Sequence, residues 1–153
     1  MTLTGRERCG RCGTDPFVGG EPYTFWVWIV SKDGKRLLKL TQKAAKTLAN
    51  EHGAEAEVID PRTLRPLDLD TILESVRKTN RAVIVEEGWP HGGVGANLAA
   101  LIQEQAFDHL DAPVQRVTGA DVHMPYSKRL EQAAIPHAEH VVSAALATLE
   151  GNL

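Results

Sequence analysis

The chain has 153 residues, with 17 Lys and Arg against 20 Asp and Glu and a net charge of −3. At 42% hydrophobic and 24% charged it has the make-up of an ordinary soluble protein, and it is long enough to bury one core as a single main domain. The acidic balance argues against a basic nucleic-acid surface, and no apolar run nears the roughly 20 residues that cross a bilayer.

The N-terminal stretch MTLTGRERCGRCG carries three arginines with no apolar segment behind them, so it does not read as a secretory signal, and its shortness argues against a transit peptide. Cys9 and Cys12 are the only cysteines. With no second pair they supply at best half a zinc ribbon. Gly13-Thr14-Asp15-Pro16 opens no helix behind them, as a redox motif would need. They read as a reduced tail in a cytosolic compartment. Residues 1–40 are an irregular N-terminal extension with one aromatic, β-branched strand, Tyr23–Val30, followed by a turn at Ser31-Lys32-Asp33-Gly34.

From Leu37 the pattern turns helical. Leu37, Leu40, Ala44, Ala45 and Leu48 share one face, Lys39, Lys43 and Lys46 the other, and Gly53 is the stop. Glu55–Asp60 reads as a strand, and Pro61–Pro66 as a loop whose prolines exclude a helix. Asp68 or Asp70 caps a helix with Ile72, Leu73 and Val76 inward, Thr71-x-x-Glu74 forms a possible capping box, and Asn80 ends the helix. Ala82–Val85 is an unbroken apolar run, as in a strand covered on both faces. A helix over about 94–107 with Leu98, Leu101 and Ile102 inward follows, then a strand at Pro113–Gly119. A last helix carries Ala138, Val141, Val142, Ala145, Leu146 and Leu149. This alternation predicts a three-layer α/β/α domain over 41–153, with a mostly parallel sheet of about five strands.

Strand, glycine loop and helix in that order, over residues 83–103, is how many proteins hold a phosphate. Here the loop Gly88, Gly92, Gly93 and Gly95 lacks the Lys and the Ser or Thr of a P-loop. A dinucleotide fingerprint would need glycine where Leu98 stands. The expectation is a structural loop, with no catalytic, cofactor or metal residue in the chain. Glu86 and Glu87 are adjacent on a strand and point to opposite faces, so one of them caps or pairs locally instead of joining an acid–base pair. His137 and His140 are not in the H-E-x-x-H arrangement and read as surface histidines.

Four stretches in fixed order carry more information than any of them alone. They are Val58-Ile-Asp-x-Arg-Thr-Leu-Arg-Pro-Leu-Asp68, Val85-Glu-Glu-Gly-Trp-Pro90, Gly92-Gly-Val-Gly-Ala96, and Leu110-Asp-Ala-Pro-Val114 with Arg116-Val-Thr-Gly-Ala-Asp121 and Met124-Pro-Tyr126. Together they resemble the transketolase C-terminal-like domain of the β subunit of the pyruvate dehydrogenase decarboxylase component. The resemblance runs from about Lys43 to the C-terminus. It departs at the tryptophan-rich text of Tyr23–Arg36, which reads as a replacement strand or a shifted frame, and at Pro61, His91 and His123.

The resemblance implies an assembly and docking domain whose parent enzyme decarboxylates pyruvate and acetylates a lipoyl group. An acetoin or branched-chain 2-oxo acid enzyme is the near alternative, and a free-standing small-ligand-binding regulatory domain the distant one. Thiamine diphosphate and magnesium belong to the parent complex, on the preceding domain and the alpha subunit, so this chain alone is not expected to bind them. The implied partners are an alpha subunit, a second beta subunit and the binding domain of the lipoyl acyltransferase, with no nucleic acid and no membrane. The implied compartment is the cytoplasm, or the mitochondrial matrix in a eukaryote. By the same resemblance Asp111, with Leu153 at the C-terminus, matches the surface that pairs with a basic residue of the acyltransferase. On its own, Asp111 before Ala-Pro reads as a turn residue.

Overall fold

The computed structural model describes residues 35–150, together with the backbone of three short stretches, Thr2–Leu3, Glu7–Arg8 and Tyr23–Val30. Cys9, Cys12, the 31–34 turn and Leu153 lie outside the described residues. The first helix, α1, is Lys35–His52. It buries Leu37, Ala44 and Leu48 and stops where Gly53 takes φ +64°, a conformation that costs glycine little. A strand, Ala54–Ile59, follows.

Helix α2, Leu69–Thr79, begins at Asp68, whose side chain accepts a hydrogen bond from the Thr71 backbone N–H at 3.3 Å. Thr71 therefore sits inside the first turn, its hydroxyl donating to the other Asp68 oxygen at 2.8 Å. The capping box expected from Thr71 and Glu74 does not form, because the carboxylate one turn earlier already supplies the acceptor. Asp70 in the first turn and Arg77 and Lys78 in the last complement the helix dipole. Asn80, at φ 60°, closes the helix with its N–H on the Val76 carbonyl at 2.8 Å.

Among the described residues six strands form one sheet. In chain order they are β1 (Thr2–Leu3), β2 (Glu7–Arg8), β3 (Tyr23–Val30), β4 (Ala54–Ile59), β5 (Val83–Glu86) and β6 (Gln115–Val117), and across the sheet they run β2-β1-β4-β3-β5-β6. β4, β3, β5 and β6 are parallel, while the two-residue β1 and β2 add an antiparallel edge. The strand expected at 113–119 is confined to Gln115–Val117. The sheet takes in Tyr23–Val30 as an interior strand, paired with β4 on one side and β5 on the other.

Helix α3 is Val94–Ala106, continued by a tight turn at Phe107–His109. A short helix α4, Lys128–Ala134, precedes α5, Ala138–Glu150. Strand alternation sorts the core into two halves. Val83 and Val85 pack with Leu48, Val141 and Ala145, which puts α1 and α5 on one face. Ala82 and Ile84 pack with Val76, Leu98 and Ile102, which puts α2 and α3 on the other. The three-layer α/β/α arrangement follows.

Replacing Asp68 with Ala should lower stability by about 1 kcal/mol, the usual worth of an N-cap, read as a shift in the urea midpoint. An unchanged midpoint would mean that burial of Ile72 and Leu73 alone fixes where α2 begins.

Candidate functional site

In an open parallel sheet a ligand is held at the carboxyl ends of the strands, where neighbouring connections diverge. Here β3 returns through α1 to β4 on one side, and β5 runs through α3 to β6 on the other, so the crevice lies between β3 and β5. The last pair in that register is Val30 with Glu86. What fills the mouth of the crevice decides what the domain can do.

Alternation sends Ala82, Ile84 and Glu86 toward α2 and α3, and Glu87 the other way. Glu86 is 2% exposed. Its Oε2 accepts the Gly95 backbone N–H at 3.1 Å. The N-cap of α3 is Gly93, which has no side chain to cap with, so a carboxylate from the preceding strand takes over that duty. An acid at a helix N-terminus is also favoured by the aligned peptide dipoles. Among the described residues Glu86 Oε1 is buried with no hydrogen-bond partner. Glu87 reaches the first turn of α1, where Arg36 Nη1 lies 3.5 Å from its Oε1.

Gly93 and Gly95 are held close to that carboxylate. A Cβ on Gly95 would lie 2.4 Å from Glu86 Oε1, and one on Gly93 2.6 Å from Oε2 and 2.9 Å from the Trp89 carbonyl oxygen. On Gly88 it would meet Oε2 at 3.4 Å. Gly92 differs: its surroundings are open, but its φ of +66° is a turn conformation that favours glycine. Gly119, outside the loop, brings a second segment against it, since a Cβ there would lie 2.8 Å from the Glu87 carbonyl oxygen. Its N–H donates to the Gly88 carbonyl at 2.9 Å.

The loop therefore wraps an anion that belongs to the protein. A phosphate group placed there would meet a carboxylate where it needs donors, and the Ala96 N–H is already used by the Gly93 carbonyl at 3.1 Å. The residues present do not fit the diphosphate of a thiamine cofactor at this loop. Among the described residues no group of three or more His, Cys, Asp or Glu is arranged to hold a metal ion. His137 and His140 have ring centroids 5.7 Å apart, and the His137 backbone N–H donates to His140 Nδ1 at 3.2 Å. A hollow of about 310 Å³ lies beside the loop, between Leu64, Arg65 and Leu67 and the first turns of α3 at Val94 and Asn97. Gly92 and Gly93 line it, and Glu86 does not.

Asp111 stands apart, at the amino end of β6. Its N–H donates to the Asn80 carbonyl at 2.8 Å, and its half-exposed carboxylate lies 3.3 Å from Arg81 Nη1. Arg81 Nε in turn donates to the Thr148 carbonyl of α5 at 3.0 Å. The structure thus does not bring Asp111 near the glycine loop, and joins it instead to the C-terminal helix.

Residues 36–141 match the family described as "Transketolase, C-terminal domain". The chain belongs to this family. It is 49% identical over 117 residues to a Dictyostelium discoideum protein named "Pyruvate dehydrogenase E1 component subunit beta, mitochondrial", covering 76% of this chain and 33% of that one. It is 51% identical over 107 residues to the Rickettsia felis "Pyruvate dehydrogenase E1 component subunit beta", covering 70% of this chain and 32% of that one. A solved structure titled "Split gene transketolase, inactive beta4 tetramer" superposes with a TM-score of 0.65 at 25% identity, over 85% of this chain and 39% of that one. The chain spans about a third of the length of these curated relatives. Among the described residues no helix is long and apolar enough to cross a membrane.

Two residues central to this site carried no ligand motif in the sequence. Glu86 was one of an adjacent acidic pair, and Gly119 closed the strand expected at 113–119. The available signal was an acid ending a fully apolar strand nine residues before a helical glycine.

Replacing Gly95 with Ala should cost about 1–3 kcal/mol, the usual penalty for overpacking a core. In a Glu86→Ala background the same change should cost much less, since alanine is favoured over glycine within a helix by up to about 1 kcal/mol. A double-mutant cycle in urea reads the difference. Equal costs in both backgrounds would assign the constraint to Ile84, whose Cγ2 lies 3.0 Å from the same Cβ position.

Proposed function

We propose that this chain serves as the C-terminal assembly and docking domain of a pyruvate dehydrogenase β subunit. The observation that carries the reading is about 50% identity, over 107–117 residues, to proteins of that name. The buried Glu86 and the Arg36–Glu87 pair at the end of β5 support it, because such a domain contributes surfaces instead of a reaction centre. The parent enzyme would decarboxylate pyruvate and acetylate the lipoyl group of its acyltransferase. Its thiamine diphosphate and magnesium would be held by the alpha subunit and by the part of the β subunit outside this match. The compartment would be the cytoplasm of a bacterium or the mitochondrial matrix of a eukaryote.

Partners would be the alpha subunit, a second β subunit and the acyltransferase's binding domain, the last through Asp111 and the C-terminal Leu153. A basic partner at Asp111 would share that carboxylate with Arg81, and an exposed charge contact of this kind acts chiefly on encounter rate and specificity.

Calorimetric titration of the chain with thiamine diphosphate and magnesium should give no heat of binding, and micromolar affinity would overturn the division of labour. Asp111→Asn should weaken binding of the acyltransferase's domain in surface plasmon resonance and flatten its salt dependence, with folding unchanged. Equal affinities at low salt would leave Asp111 as a turn residue that anchors Arg81.

A further inference from the structure

The hollow beside the glycine loop is built from two segments that hold their own shape. The connection from β4 to α2 contributes Leu64, Arg65 and Leu67, and the first turns of α3 contribute Val94, Asn97 and Leu101. Within the connection, Arg62 Nε donates to the Asp60 carboxylate at 2.8 Å, and the Thr63 hydroxyl donates to the Pro66 carbonyl at 3.0 Å. The Leu69 N–H donates to the Leu67 carbonyl at 3.0 Å. Walls fixed before a ligand arrives lower the entropy cost of holding one.

Among the described residues Arg65 is the only charged residue lining the hollow. Arg62, three residues earlier, is paired with Asp60. Arg65 has no ion pair or hydrogen bond among the described residues, and neither has the Asn97 side chain. The rest of the lining is apolar or glycine, and Leu64 and Val94 remain 46% and 38% exposed. The N-terminus of α3 adds little positive potential of its own, because the Glu86 carboxylate already sits there and accepts the Gly95 N–H. The charge of the hollow is therefore that of one guanidinium among apolar walls.

We propose that this hollow binds a short aliphatic monocarboxylate, with its carboxylate on Arg65 and the Asn97 amide and its tail against Leu64, Leu67 and Leu101. The assignment does not depend on the docking reading above. A volume of about 310 Å³ has room for about ten water-sized groups, enough for a branched acid of five or so carbons. One guanidinium meets one carboxylate through two parallel N–H···O bonds. A phosphate dianion would bring a second charge with no second cation to meet it. An uncharged apolar ligand would leave Arg65 unused.

The test is a titration of the full ¹⁵N-labelled chain with 4-methylpentanoate, followed by NMR. Saturable shifts are expected at the Gly92, Gly93 and Asn97 amides and at Arg65 Nε. Acetate, which keeps the charge and loses the tail, should bind more weakly by about fourfold for each methylene removed. Arg65→Gln should weaken binding of 4-methylpentanoate by about tenfold or more. Asn97→Asp, close in shape at an exposed helix position, puts a second carboxylate into the hollow and should weaken it at least as much. That variant keeps the test open if Arg65→Gln disturbs the loop. No saturation up to the solubility of the acid would overturn the proposal, and so would equal affinity in either variant. Equal binding of 4-methylpentan-1-ol would reduce the hollow to an apolar cleft, and equal binding of inorganic phosphate would reduce it to a general anion site. Either result would overturn the assignment.

Discussion

A carboxylate buried under a glycine loop is the constraint from which this end of the domain is built. Glu86 ends a strand whose other residues are all apolar, and the alternation that buries Ile84 also buries Glu86. An acid so placed needs donors, and the N-terminus of the next helix supplies one through Gly95. Bringing the helix that close leaves no room for a Cβ at Gly93 or Gly95. Gly93, Gly95 and the direct entry into α3 are consequences of one polar group in an apolar setting.

This arrangement shows how a strand–glycine–helix pattern can lose its usual chemistry. The dipole and free N–H groups at a helix N-terminus favour an anion whatever its source. Where the strand before the loop ends in an apolar residue, the anion has to arrive as a ligand. Where it ends in glutamate, the protein carries its own, and the site becomes a joint between layers. The Arg36–Glu87 pair does the same across the other face, tying the first turn of α1 to the end of β5.

Much of this was legible in the sequence, and the reasons differ by element. The 82–87 run could be read because alternation is a rigid geometric rule, and it put Glu86 and Glu87 on opposite faces. Asp68 and Asn80 were legible because capping chemistry is local. What escaped was short or depended on distant partners. Helix α4 has an exposed leucine at 130 and no apolar stripe, so periodicity is silent there. β1 and β2 are two residues each, too short for any pattern. The Thr71 box failed because a better acceptor stood three residues earlier. That Gly93 and Gly95 serve Glu86 could not be seen from spacing, since it requires knowing where the helix lands.

The central position of β3 bears on how this domain can be excised. Six residues of Tyr23–Val30 are in register with β4 and four with β5, yet the match to the family model begins at residue 36. A chain trimmed to the boundaries of that likeness would keep both flanking strands and lose the one that hydrogen-bonds to each of them. The borders of the family match are therefore not those of the hydrogen-bonded sheet.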